Sequence, residues 1–281
     1  MTPPQDPTEL PLASVQLYTL AQEFTADMHG SLAKLAEIGL QHVEAFDFVG
    51  RPRQIREALD ATGLTSPTGH APLLSDELWT PDGSIPTPSN EVVFEAAAEI
   101  GMQVVIDPMV PTERWLTEDG VKDTAERLNT AAQKAAEYGL AVGYHNHAQE
   151  FLADFDGKTA YQRFLELTDD AVQIELDLFW ALVGGQDVVG LVREIGPRLT
   201  AIHVKDGVAP ASNPFAPGAP AFTSDSLDQR HAGEGDVPTV EAMQAATQVQ
   251  YAVIEYDHAP GDVFTDIADS HRFLLEKGLA R

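Results

Sequence analysis

Four short phrases recur along the chain, and they constrain its fold more than any other feature. "EIGL" (37–40), "ATGL" (61–64), "EIGM" (99–102) and "EYGL" (137–140) each close a helix-like segment and precede an apolar, strand-like run. Gly39, Gly63, Gly101 and Gly139 suit the left-handed residue that follows a helix C-terminus, where a β-carbon would clash. The apolar residue after each glycine can then fold back onto the helix. Four helix–Gly–strand joints mean alternating helices and strands, a pattern that calls for a parallel sheet.

The remaining strand candidates fit that alternation. They are 14–20, 42–46, 65–70, 103–107, 141–146, 172–177, 200–205 and 251–256, with helices expected over 28–38, 53–62, 89–100, 118–138, 158–168, 187–195, 238–248 and 262–277. Ser89, Asp187, Asp236 and Asp262 are candidate N-caps, because their side-chain oxygens can accept from free backbone N–H groups. The third strand is interrupted by Pro67 and Gly69. Eight strands and eight helices in alternation predict an α/β chain folded as a single-domain (β/α)8 TIM barrel over residues 1–281. An open doubly wound sheet is the competing fold, but it usually carries a Gly-rich phosphate turn after its first strand; "LYTLAQEFTADMHG" has none. Residues 1–13 read as an N-terminal extension. Residues 207–235, rich in Pro, Ala and Ser, read as a long loop over the catalytic face.

The 281 residues suit one such barrel, and the 43% hydrophobic content supplies its core. Composition excludes several functions. With 44 acidic residues against 17 basic ones, the formal charge of −27 argues against a nucleic-acid surface and against docking on anionic lipid. There is no cysteine, so no thiol nucleophile or zinc knuckle exists, and any metal must be held by His, Asp and Glu. The N-terminus lacks the basic and apolar regions of a signal peptide, and no apolar run is long enough to span a membrane. A cytoplasmic location is the default expectation.

Barrel enzymes work at the C-terminal ends of their strands, and the ionisable residues of this chain track those ends. His70 ends the third strand and Asp107 the fourth; His145 and His147 end the fifth and Asp177 the sixth. His203 and Lys205 lie on the seventh, Glu255 and Asp257 on the eighth, and Glu44 inside the second. Period two places His145 with His147, Glu175 with Asp177, His203 with Lys205, and Glu255 with Asp257 on shared faces. So many buried charges need compensation, and a divalent cation supplies it. Three adjacent strands ending in Asp177, His203 and Glu255 mark a metal site. Its oxygen and imidazole donors suit one Mn, with Mg, Co, Fe or Zn as alternatives. Glu44, His70, Asp107 and Trp180 are candidate substrate contacts. Asp107 could equally fix a turn before Pro108, and Glu44 could pair with Arg51 or Lys205.

At this point the chain resembles the xylose isomerase-like TIM barrels, which include sugar-phosphate isomerases/epimerases, inosose dehydratase and the apurinic endonuclease group. The resemblance rests on "HVEAF", "GYHNHAQEF", "IELDLFW", "AIHVKD", "GEGDV" and "VIEYD". It implies one divalent ion held by Glu, Asp, His and Glu from strands five to eight, with Asp177, His203 and Glu255 in three of those places. The fifth strand departs from that pattern, since His145 stands where a glutamate is expected. Either Glu150 reaches back to the metal, leaving His145 or His147 as the base, or His145 is itself the fourth ligand. The first arrangement is preferred.

The chemistry expected is proton abstraction beside a sugar carbonyl through a metal-stabilised enediolate, giving a sugar isomerase/epimerase. Lys205 would add positive charge near the developing oxyanion. The alternatives are a lyase cleaving 3-keto-glycosides by β-elimination and water addition, and a non-catalytic sugar-binding barrel. The expected partner is a small sugar or keto-sugar, without phosphate because no Gly-rich cradle is present. Homo-oligomer formation is left open.

Overall fold

The computed structural model describes residues 9–80, 83–220 and 223–281. Eight parallel strands form the barrel: β1 (Leu12–Val15), β2 (His42–Ala45), β3 (Thr65–His70), β4 (Val104–Asp107), β5 (Ala141–His145), β6 (Gln173–Asp177), β7 (Leu199–Val204) and β8 (Tyr251–Ile254). Each pairs with its sequence neighbour from β2 to β8, and β8 pairs with β1. A parallel bridge between Gln16 and Glu44 joins β1 to β2 and closes the ring. The outer helices are α1 (Met28–Ile38), α2 (Pro52–Thr62), α3 (Asn90–Ile100), α4 (Glu118–Ala136), α5 (Ala160–Leu167), α6 (Val188–Ile195), α7 (Thr239–Ala245) and α8 (Val263–Glu276).

The four glycine joints behave as their sequence predicts. Gly39, Gly63, Gly101 and Gly139 have φ of 104°, 74°, 90° and 75°. In each joint the next residue's N–H reaches back five positions, from Leu40 to Leu35, Leu64 to Leu59, Met102 to Ala97 and Leu140 to Ala135. Those four apolar residues are buried, so each joint satisfies helix-end carbonyls and sets the chain on course for the next strand. The helix starts are capped by side chains: Asp27 accepts from Gly30 N, Thr117 from Gly120 N, Asp187 from Gly190 N and Asp262 from Thr265 N. Thr159 and Gln162 form a capping box before α5.

Some expectations change. The first strand ends at Val15 rather than at residue 20. The Gln16 side chain accepts from Tyr18 N and starts a 3-10 turn over Leu17–Leu20. Ser89 makes no capping hydrogen bond, and Asp236 accepts instead from Ala209 N. The interrupted third strand does form. The β2–β3 register slips between His42–Thr65 and Glu44–Thr68, so Ser66 and Pro67 share the space opposite Val43. A proline is tolerated in such a bulge because no ladder N–H is required of it. Ser66 Oγ takes over by accepting from Ala45 N and donating to Thr68 O.

The main core lies between sheet and helices. A separate small cluster of Ala201, Tyr251 and Val253, with Leu12 against it, shares the inward face of β7 and β8 with His203 and Glu255. The lumen is therefore apolar at that level and ionisable above it. Among the described residues, no helix is long and apolar enough to cross a membrane.

Candidate metal centre and substrate cavity

Strand register brings the ionisable residues together. Glu175 on β6 lies opposite His145 on β5, and Asp177 lies opposite His203 on β7. With period two, each strand delivers one group deep in the barrel and a second one nearer the mouth.

The deeper layer is a network of imidazoles and carboxylates. Glu175 Oε1 lies 2.6 Å from His70 Nε2, 2.9 Å from His203 Nε2 and 3.1 Å from His145 Nδ1. Glu44 Oε1 lies 2.8 Å from His203 Nε2 and 3.1 Å from His70 Nε2, and it accepts from Gln16 Nε2 at 2.7 Å. His70 stacks on His203 with ring centroids 5.3 Å apart. Burial alone would lower the pKa of His203, but Glu175, Glu255 and Glu44 around it raise the pKa well above the usual imidazole value. His145 goes the other way: burial first, then the neighbouring positive charge of His203, holds it well below.

Nearer the mouth, Lys205 Nζ sits between three carboxylates, 2.8 Å from Glu255 Oε2, 2.9 Å from Asp257 Oδ2 and 3.1 Å from Asp177 Oδ2. These carboxylates outweigh the burial that would lower the Lys205 pKa, and they hold it well above the usual lysine value. Burial pushes Asp177 up to about 6 although Lys205 pulls it down. Asp177 also caps the short helix Leu178–Val183, accepting from Trp180 N through Oδ1 and keeping Oδ2 for the mouth.

Donor atoms of His145, Asp177, His203 and Glu255 all lie within 4.8 Å of one another. His203 Nδ1 is 2.8 Å from Glu255 Oε2, and His145 Nε2 is 4.0 Å from Asp177 Oδ2. Two imidazoles and two carboxylates from four consecutive strands, with Asp177 Oδ2 buried beside the Lys205 ammonium at 3.1 Å, fit a divalent ion. A second set, His70, His145, Glu175 and His203, meets the same distance limit. There all three imidazoles converge on one oxygen at hydrogen-bond distance, and Glu175 does not line the mouth cavity. The first set includes Glu255, which does line it. The candidate metal seat is therefore the set nearer the mouth.

The cavity above has a volume of about 500 Å³. Aromatic groups wall it on two sides: Tyr18 with Phe46, 5.8 Å between centroids, and Trp180 with Phe215, 5.4 Å. His147 packs against both Trp180 and Phe215. Burial first, then Lys205, lowers His147 to about 3, so it is neutral at neutral pH. Its Nδ1 makes no hydrogen bond among the described residues. The carboxylates Asp47, Glu255 and Asp257 line the cavity, and none of its described lining residues is Lys or Arg.

The expected site residues divide accordingly. His70, His145, His147 and Trp180 line the cavity with Glu255, while Asp177, His203 and Lys205 lie buried at its base. Glu150 does not join them. The 3-10 turn Gln149–Phe151 sets it on the other side of β5, where Oε1 accepts from Tyr144 OH at 2.8 Å and Oε2 from His147 N at 3.0 Å. Tyr144 packs there against Trp115 and Phe164. With both oxygens committed, Glu150 is replaced as fourth candidate ligand by His145. Asp107 is fully buried and serves a turn, accepting from Leu73 N, Leu74 N and Met109 N, so it is not a substrate contact. Glu44 is also fully buried and belongs to the deeper layer; its partners are neither Arg51 nor Lys205.

Residues missed from sequence include Gln16, Tyr18, Phe46 and Phe215. The alternation Ser14, Gln16, Tyr18 was the available signal for the first two. Phe215 had none, because it lies in the long segment 207–235. Phe215 and Ser224 of that segment line the cavity. The segment begins and ends in a short antiparallel pair, Asp206–Val208 with Asp228–Arg230. Asp206 anchors the "GEGDV" turn: Oδ1 accepts from Gly207 N and Val237 N, and Oδ2 from Gly233 N and Gly235 N. A β-carbon at position 235 would lie 2.2 Å from Asp206 Oδ1, so only glycine fits there.

Residues 32–277 match the profile of the family described as xylose isomerase-like TIM barrel. Over 118 residues the chain is 30% identical to inosose dehydratase of Geobacillus kaustophilus (strain HTA426); the matched stretch is 40% of this chain and spans only 37% of that protein. Among solved structures, a sugar phosphate isomerase/epimerase from Parabacteroides distasonis ATCC 8503 superposes with a TM-score of 0.76 at 20% identity, covering 99% of this chain and 98% of that one. The IOLI protein, solved with a zinc atom, gives 0.68 at 14% identity over 95% and 97%. At these identities the structural likeness shows a shared fold.

Proposed function

The chain belongs to the xylose isomerase-like TIM barrel family, and from that premise we propose that it is a divalent-metal-dependent sugar isomerase, working by proton abstraction beside a carbonyl. His145, Asp177, His203 and Glu255 would hold the ion, with Mn first among the candidates. When bound, the ion would polarise the substrate carbonyl and its neighbouring hydroxyl.

One observation carries the reading: His147 lines the cavity as a half-buried imidazole, neutral at neutral pH, whose side chain makes no hydrogen bond among the described residues. It takes the proton from the carbon next to the carbonyl. Lys205, fixed by its three carboxylates beneath the cavity floor, would add positive charge below the substrate oxygens without touching them. Trp180 and Phe215 exclude water on the side of the base. A single base can return the proton to the adjacent carbon on the same face, which interconverts ketose and aldose. Epimerisation requires a second acid–base group on the opposite face of the substrate carbon.

The substrate is an unphosphorylated sugar or keto-sugar. A phosphate dianion would meet Asp47, Glu255 and Asp257 without a lining cation. The net charge of −27 likewise disfavours nucleic acid. A second reading is β-elimination from a keto-sugar, which begins with the same proton abstraction by His147. The dehydratase relative is in keeping with it.

Incubation of Mn-loaded protein with ketohexoses in deuterium oxide tests the proposal. Isomerisation places deuterium beside the carbonyl. Release of an aglycone from 3-keto-glycosides without exchange on free ketoses moves the assignment to the lyase. Neither outcome with any sugar would sink both.

A further inference from the structure

We propose that Glu175 is the positioning residue of the metal seat: one oxygen behind two rings selects which nitrogen His145 and His203 turn toward the ion. The proposal rests on the metal reading above and assigns a role to a residue that reading leaves unused.

Glu175 lies on β6, between His145 on β5 and His203 on β7, and is 1% exposed. From there Oε1 meets different atoms of the two rings, Nδ1 of His145 at 3.1 Å and Nε2 of His203 at 2.9 Å. An imidazole that donates through one nitrogen offers the lone pair of the other. His145 therefore offers Nε2, the atom facing Asp177, and His203 offers Nδ1, the atom facing Glu255. The two rings need opposite tautomers: Glu175 Oε1 pairs with His145 Nδ1, and it stands 2.9 Å from His203 Nε2 beside Glu44 Oε1, which pairs with that nitrogen. Glu44 reinforces the choice at His203, where Oε1 lies 2.8 Å from Nε2, and Gln16 holds Glu44 in place.

The arrangement is asymmetric in a way that packing alone does not require. Glu175 Oε1 serves three imidazoles, whereas Oε2 is buried with no hydrogen-bond partner. Carboxylates behind metal-binding imidazoles fix ring orientation and raise donor strength, and their loss typically weakens metal affinity by 10–100-fold.

The test uses the full chain, stripped of metal and titrated with Co²⁺ and Zn²⁺ in competition with a chelating dye. Wild type should bind one ion. Glu175→Leu, which has no acceptor, should lose roughly 10–100-fold in affinity, and Glu175→Gln, which keeps one carbonyl oxygen, should fall between the two. The Co²⁺ visible spectrum and the ¹⁵N shifts of His145 and His203 in the Zn²⁺ form should change in Glu175→Leu, which a merely structural role would not produce once circular dichroism shows the fold intact. Should Glu175→Leu not fold, Glu175→Gln with the same two spectra decides. Affinity within threefold of wild type with unchanged spectra overturns the positioning role and leaves the metal reading standing. Two ions per wild-type chain would make Glu175 a ligand and also overturn it. No binding by wild type removes the metal reading, and the positioning role with it.

Discussion

The barrel lumen holds two layers of charge built from the same strands, and they neutralise that charge differently. In the deeper layer, Glu44 and Glu175 are matched by the imidazoles of His70, His145 and His203, locked by hydrogen bonds of 2.6–3.1 Å. In the outer layer, Asp177, Glu255 and Asp257 gather around one ammonium, that of Lys205. Imidazoles in strand register are fixed partners. A lysine head on a four-carbon stem is a point charge that can give way to another cation. The deeper layer is thus held by fixed partners, while the outer one, next to the cavity, pairs its carboxylates with a cation that another can replace.

The largest break in this contrast should come from Glu255→Gln. The residue lines the cavity, so the barrel should survive its neutralisation. We expect stoichiometric metal binding to disappear in calorimetry and kcat to fall about a thousandfold, the several kcal/mol that Lewis-acid polarisation contributes. Glu255→Gln turning over at the wild-type rate would place the ion elsewhere. Lys205→Met should be smaller and of mixed sign. Turnover should drop roughly 10²–10³-fold through loss of the charge opposite the developing oxyanion. Metal affinity should stay equal or tighten, because the ammonium no longer occupies Asp177 and Glu255. A parallel loss of both would mean that Lys205 only supports the fold.

Glu150→Gln should be the mildest for activity, with metal affinity unchanged, because Glu150 lies outside both layers. Its signature is in stability. Burial raises the Glu150 pKa from an ordinary 4.5 to about 7, so the folded chain holds this proton more tightly than the unfolded one. The contribution is fully present below pH 4.5 and is lost as pH rises to 7, amounting to roughly 3 kcal/mol. Urea denaturation of the metal-free protein from pH 5 to 8 should show wild type losing stability relative to Glu150→Gln; curves that stay parallel would contradict the raised pKa.

Much of this arrangement was legible in the sequence, for reasons that differ from residue to residue. The Gly39, Gly63, Gly101 and Gly139 joints were readable because helix termination is local chemistry. The pairs His145 with His147, Glu175 with Asp177, and His203 with Lys205 were readable because a strand's period is fixed at two. Beyond a strand end that period stops. Glu150 looked available three residues after His147, yet a single 3-10 turn carried it behind the strand to Tyr144. Asp107 was left open between turn and site, since only tertiary structure shows that three backbone N–H groups claim it. The first strand was read as too long because apolar residues continue through the Leu17–Leu20 turn. Phe215 could not be placed at all, since nothing periodic surrounds it.

The segment that carries Phe215 is tied down at both ends, by the Asp206–Val208 and Asp228–Arg230 pair and by the four backbone N–H groups gathered on Asp206. Among its described residues, its middle makes no strand of the barrel. Lineages could therefore rewrite residues 209–227 like an interchangeable visor, trading one sugar for another while the machinery underneath stays as it is.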